Sequence, residues 1–378
     1  MLRILYYATW LLCLCLSAIT ICVGQAKPCH RFKFCEFNVE LSYVLNIFTF
    51  GVVFLLISAN REGPDIIVYN RLYNEDHAFN LREPVYCILK NLFYNIGFSF
   101  FIFRAVLTFF SGLLVFKVFA RLNLNSMAFF ACYMPIFLFM DSMQFRNSVA
   151  LYMLVYALYL LINDRIKYRR LIYIVIVILA AQIHTVFYFY LIFVLFDTKY
   201  ENVLMYMLAV FSFVLVIITA LNGNRFPFIN TIMSIVLSKG DPRLTQYMTT
   251  GRLGFLLPTS IHLISMIILV IVYKSMRVQD GIKSKWQRIA VVVCLCSSVF
   301  IPLMMMNLHY YRILRNSFVI SLIASVIALQ EENRLWNRIW LFSFMVITVF
   351  IWRSFEVFFN NADLFDCVLS GQWFWVNN

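Results

Sequence analysis

Four groups of polar side chains interrupt an otherwise apolar chain, and each carries a chemistry of its own. The first lies in REGPDIIVYNRLYNE and the following LREPVYCILK, which hold Asp65, Tyr69, Arg71, Tyr73, Glu83 and Tyr86. Carboxylates with tyrosines and an arginine suit carbohydrate. The acids can take hydroxyl protons, and the rings can cover the apolar face of a pyranose. The same composition also describes a solvated loop with surface ion pairs. The second group is Gln144, Arg146 and Asn147 in QFRN. An arginine at a helix entrance can bind an anion or snorkel to lipid headgroups. The third is His184, set in ILAAQIHTVFYFY. An ionisable group in so apolar a run is either functional or bonded to a neighbouring carbonyl. The fourth is NLHYYRILRNSF, where His309, Arg312 and Arg315, with Asn316, recur at every third position and form one stripe of a helix. Two guanidiniums with no carboxylate nearby in sequence call for an anion, and phosphate oxygens fit the arginine fork bidentately. Snorkelling is again the alternative. Arg146, Arg252, Arg312 and Arg315 together point to a diphosphate or another polyanion. Arg104, buried in an apolar run, has no evident partner in sequence.

The elements that must position these groups are membrane helices. Of 378 residues, 63% are hydrophobic and 13% charged, and the mean hydropathy is +0.82. Soluble domains are less apolar and about twice as charged. This excludes a secreted domain, a soluble enzyme and a nucleic-acid-binding protein. The apolar runs are continuous rather than alternating, which excludes a β-barrel. The net charge of +13 therefore reads as cytoplasmic basic loops and a need to hold anions. Apolar runs fall at 4–24, 41–60, 94–117, 124–142, 145–163, 171–196, 202–222, 254–273, 287–307, 310–330 and 337–352. The expected fold is all-α, a polytopic membrane protein of about 11–12 transmembrane helices forming one domain, with outer segments at 61–92 and 222–253. Pro64 and Pro84 can each start a short helix within the first of those segments. The run from Ile4 to Gly24 is longer than a signal peptide's apolar region and reads as the first membrane helix.

Orientation follows from two basic loops. Asn163–Arg170 holds four basic residues against one acid, and Lys274–Arg288 five against one. Both should face the cytoplasm, so an even number of crossings must separate them. Three apolar runs lie in between. The segment 171–196, with His184 at its middle, is the best candidate for two short helices that meet and return, and a half-helix in 226–240 is the second. Such irregular backbone needs protein or a wet cavity around it. With these anchors, Arg61–Asn91, Asp141–Arg146, Asn222–Arg252 and Asn307–Arg312 fall outside, and the polar groups collect there. The loop with Lys117 and Arg121, Ala26–Glu40 and Glu331–Arg338 fall inside. Ten cysteines include no CxxC pair, so a metal site is not expected. Cys29 and Cys35 could pair only in an extracytoplasmic loop.

The ordered set DIIVY, EPVY, QFRNSVAL and ILAAQIHTVF resembles the bacterial Wzy-type oligosaccharide repeat-unit polymerases, and most of all their EpsG-like branch. Each motif is short, and the order and spacing carry the resemblance over about residues 40–200. Thr185-Val186 after His184, and Asn147 after Arg146, depart from the commoner pattern. The resemblance implies a glycosyltransferase similar in plan to the GT-C-like enzymes that use lipid-linked donors. It would join undecaprenyl-diphosphate-linked oligosaccharide units into O-antigen, capsule or exopolysaccharide at the outer leaflet of the bacterial inner membrane. Membrane lipid, a chain-length regulator and a flippase are the partners implied; no nucleic acid and no cofactor are expected. Asp65, Glu83 and His184 are then the candidate bases. Tyr69, Arg71, Gln144, Arg146, Arg252, His309, Arg312 and Arg315 are the candidate sugar and diphosphate ligands. An O-antigen ligase, a transporter of lipid-linked oligosaccharide and a membrane acyltransferase remain the rival classes.

Overall fold

In lipid every backbone polar group must find an internal partner, and the helix is the way a single apolar run does so. The computed structural model describes residues 2–23, 31–34, 37–75, 82–225, 255–275, 281–360 and 369. The chain opens with α1 (Leu2–Val23), a short antiparallel hairpin of β1 (Arg31–Phe34) and β2 (Phe37–Glu40), and α2 (Leu41–Ser58). The hairpin, which pairs Arg31 with Glu40, is the one departure from all-α architecture among the described residues. Cys29 and Cys35 lie outside them.

Two short helices follow, α3 (Pro64–Glu75) and α4 (Pro84–Asn95), each begun by its proline as the sequence leads one to expect. Gly97, at φ +89, then turns the chain, and the Ser99 hydroxyl caps α5 (Phe100–Arg121) by accepting from the Ile102 amide at 3.4 Å. This turn is why the membrane helix expected from residue 94 starts later. The run 124–142 is broken into α6 (Ser126–Tyr133) and α7 (Phe137–Met143), bent by 71°. Next comes α8 (Phe145–Ile162), which packs against both α5 and the following α9 (Arg169–Ala181).

After α9 the chain does not continue straight. Gln182–His184 form a turn, and Thr185–Leu195 is a 3₁₀ helix. The Tyr173 hydroxyl donates to the Tyr190 carbonyl at 2.6 Å. A continuous helix would hold these residues about 26 Å apart at 1.5 Å per residue, so the segment doubles back. The expected return at 171–196 is therefore present, and its break falls at His184. Among the described residues, α10 (Glu201–Leu221) and α11 (Leu256–Ser275) are then left as long apolar helices between the two basic loops, and the alternative half-helix at 226–240 lies outside the described residues.

The chain ends with α12 (Gly281–Ser297), a 3₁₀ turn, α13 (Ile301–Met306), a second 3₁₀ turn at Leu308–Tyr311, α14 (Arg312–Glu331) and α15 (Leu335–Asn360). Among the described residues, eight helices are long and apolar enough to cross a membrane, or nine if the bent pair counts as one span. Against the expected 11–12, α2 is short in its described part, 171–196 is a returning segment, and 226–254 lies outside the described residues. The protein is a multi-pass helical membrane protein.

The chain divides into two compact units, residues 1–194 with 280–283 and 326–378, and residues 195–279 with 284–325. In the first, α8 is the most enclosed of the long apolar helices. The Asn46 side chain staples α2 to the start of α6, donating to the Leu124 carbonyl at 2.9 Å and accepting from the Ser126 amide at 2.9 Å. The Arg104 Nη2 donates to the Ser58 carbonyl at 2.6 Å, which supplies the partner its sequence lacks. In the second unit, Lys285 pairs with Asp197 at 3.0 Å and Arg288 with Glu201 at 2.6 Å, tying α12 to the start of α10.

Candidate functional site

Three of the four polar groups belong to the first unit, and the structure gathers their key members at one place. An aromatic cluster builds the floor. Tyr73, Tyr86, Phe100, Phe103, Phe145 and Ile183 are buried together, drawing α3, α4, α5, the start of α8 and the turn after α9 onto one another. The Tyr86 amide donates to the Gln182 carbonyl at 3.3 Å and so satisfies part of the broken backbone there.

On this floor Glu83 and Arg146 meet, although 63 positions separate them in the chain. Glu83 stands directly before Pro84, and its position at the head of α4 turns its carboxylate toward the start of α8. Its Oε2 pairs with Arg146 Nη1, and its Oε1 accepts from the Thr185 amide at 3.4 Å. The Arg146 guanidinium carbon lies 5.0 Å from the ring centre of Tyr69 and 4.9 Å from that of Tyr86. The cation thus lies over two rings, a contact that contributes about 0.5–1 kcal/mol at an exposed site and about 2 kcal/mol when desolvated. The pair is largely enclosed, with side-chain exposures of 20% for Arg146 and 11% for Glu83. An arginine held this way is not snorkelling.

Asp65 is in the first turn of α3, half-buried, four residues before Tyr69 and so on the same helix face. It makes no hydrogen bond or ion pair with another described residue. His184 is buried in the turn whose next amide binds Glu83, and its own amide donates to the Ala180 carbonyl at 3.0 Å. Gln144 precedes α8 and its carbonyl accepts from the Ser148 amide. Asn147 is fully buried beside it.

Two residues of this set have other placements. Tyr73 is wholly buried and its hydroxyl donates to the Phe98 carbonyl at 2.7 Å, so it belongs to the core rather than to a sugar-facing surface. Arg71 is exposed and forms no ion pair with a described residue. Burial pushes the Tyr86 phenol well above its ordinary value, with the Arg146 cation pulling the other way. Tyr86 therefore stays neutral.

The fourth polar group belongs to the second unit. His309 sits in the 3₁₀ turn before α14, so the expected single helical stripe begins only at Arg312. Arg315 and Asn316 are fully enclosed, which removes headgroup snorkelling as the account of Arg315. Arg312, in the first turn of α14, is partly open. Arg252 lies outside the described residues.

One polar cluster was not foreseen from sequence. Asp141, fully buried at the end of α7, accepts from the Tyr133 hydroxyl at 2.5 Å and the Tyr152 hydroxyl at 2.9 Å. Its carbonyl accepts from Ser148 Oγ at 2.8 Å. The signal available was that Asp141 is the only acid between Glu83 and Asp164.

No curated protein and no solved structure matches the chain. The family model described as "EpsG family" matches residues 43–365, a span that contains every described member of the cluster around Glu83 and Arg146. The chain belongs to the EpsG family.

Proposed function

We propose that this protein is a polysaccharide polymerase that joins lipid-diphosphate-linked oligosaccharide units at the outer face of the bacterial inner membrane. The observation that carries the reading is the Glu83–Arg146 pair between the rings of Tyr69 and Tyr86, at the break beside His184. Membership of the EpsG family supports the same class of reaction.

The reaction needs a base for an acceptor hydroxyl and positive charge for a departing diphosphate. In this reading the acceptor O–H proton passes to Glu83 as the hydroxyl oxygen bonds to the anomeric carbon. The bond from that carbon to the diphosphate oxygen breaks, and the electron pair leaves with the diphosphate. Arg146, released from Glu83 as that carboxylate becomes neutral, turns its charge to the leaving group. Stabilisation then grows with the charge that develops, which is where it accelerates a reaction. Asp65, on the same helix face as Tyr69, orients the acceptor or shares the role of base. Arg312 is the second unit's candidate diphosphate ligand.

The test is deletion of the gene followed by gel analysis of the surface polysaccharide. Loss of a polymerase leaves single repeat units on their acceptor. Loss of a ligase leaves polymer on the lipid carrier and none transferred, and loss of a transporter leaves units unavailable outside. Either of those two outcomes would overturn the proposal.

A further inference from the structure

At the opposite end of α8 from Arg146 the first unit holds a cavity of about 610 Å³ that the reaction above does not use. Its walls are the last turns of α5 and α8, the loop after α8, and the first residues of α12. Tyr156, the lining residue of α8 nearest to Arg146 in the chain, is ten positions from it, about 15 Å along the helix, so the two sites are separate.

The lining has a definite chemistry. Lys117, Arg121 and Arg165 supply three cations. The one acid in the wall, Asp164, is already paired with Arg169. Lys117 Nζ lies 5.2 Å from the Tyr156 ring centre, and the rings of Tyr156 and Tyr159 stack with centres 6.3 Å apart. The hydrophobic remainder of the wall comes from Leu160, Ile162, Ile166 and Ile282. A cavity with a cationic mouth, tyrosines behind it and aliphatic sides is matched by an anionic head carrying a glycerol or similar backbone. Guanidinium and ammonium groups converging on one cavity, three cations against one carboxylate, fit phosphate oxygens. The cavity opens beside Asn163–Arg170, the basic loop that reads as cytoplasmic, and basic pockets between membrane helices on that side hold anionic lipids.

We infer that this cavity binds a phosphate-bearing anion through Lys117, Arg121 and Arg165, either the head of an anionic phospholipid or a soluble phosphorylated molecule. The inference does not depend on the proposed polymerase reaction.

The experiment uses the purified full chain in detergent, with native mass spectrometry counting bound phosphatidylglycerol against phosphatidylcholine. Wild type should retain phosphatidylglycerol preferentially. Lys117→Gln, Arg121→Gln and Arg165→Gln should each weaken that retention roughly tenfold, as loss of a charge-assisted contact does. Lys167→Gln, Arg170→Gln and Arg334→Gln remove exposed charges outside the cavity and should leave retention unchanged. Glycerol phosphate is the second probe. If it binds with the same dependence on the three cavity residues and displaces the lipid, the soluble source is the ligand. If it does not bind, the lipid is. Equal losses in all six variants would show diffuse surface attraction and overturn the inference, as would equal retention of the two lipids in wild type. Arg121→Lys, a charge-conserving change at an exposed position, guards against misfolding and should retain more lipid than Arg121→Gln.

Discussion

The Glu83–Arg146 pair can be asked whether it is structure or chemistry, because the two roles respond oppositely to a double substitution. Removing one partner leaves the other charge uncompensated in an enclosed place, which costs about 3–5 kcal/mol for a fully buried pair. With Arg146 one-fifth exposed, the low end, about 3 kcal/mol, applies. For a large domain that lowers an apparent melting temperature by roughly 5 °C or more. Glu83→Gln and Arg146→Gln should each show this drop. The double variant leaves no orphaned charge, since two amides can bond to each other and to the Thr185 amide, and it should regain most of the loss. Polymer formation should not follow. A general base contributes about 10²–10⁴-fold, and the amide cannot replace it. The assay is polymer amount and length in a null strain carrying each variant, with membrane levels matched by blot and thermal stability measured on purified protein. A double variant that regains stability and also forms polymer at the wild-type rate would make the pair a structural staple and move the base elsewhere.

Three further outcomes are expected. Asp65→Asn should lower polymer at least tenfold with normal membrane levels, and a wild-type ladder would remove Asp65 from the mechanism. Arg312→Lys should lower polymer while the protein stays stable, because lysine keeps charge and loses the fork. Arg315→Lys, in an enclosed site, should instead lower stability and yield, and the reverse pattern would exchange the two roles. In a cysteine-free background, single cysteines at positions 167 and 283 should resist an impermeant reagent added outside the cell, and labelling at either would invert the topology.

Much of this could be read from the residues, for reasons that can be named. Pro64 and Pro84 begin helices because a proline at the first helical position sacrifices no hydrogen bond. The parity of the basic loops asked for one anomalous segment between them, and among the described residues the chain turns back at His184. Other features depend on pairing across the chain. Nothing in LREPVY and QFRNS says that Glu83 meets Arg146, or that Arg104 will find the Ser58 carbonyl. Tyr69 and Tyr73 lie on one face of α3 and have the same chemistry in sequence, yet one flanks a cation and the other fills the core. Hydropathy does not distinguish an α-helix from an equally apolar 3₁₀ segment that turns back, so the run 171–196 could not be read from composition alone.

The irregular backbone explains why the polar groups sit where they do. A broken helix in lipid exposes amides and carbonyls that only protein or enclosed water can satisfy. The first unit breaks α6 from α7 and stops α9 at Gln182, and hydrogen bonds tie down the segments that flank each break. At the bend, Tyr133 and Tyr152 close on Asp141 while Ser148 takes its carbonyl, which fixes α7 against the start of α8. At the turn, Tyr86 donates to Gln182 and Glu83 accepts from Thr185. The first set locks the helix that carries Arg146, and the second locks the head of the helix that follows Glu83. The two ends of the ion pair are thus held by separate repairs to separate breaks. Loosening the Asp141 cluster displaces the pair without touching it, so substitutions at Tyr133 or Tyr152 belong with those at Glu83 and Arg146 as probes of the same geometry.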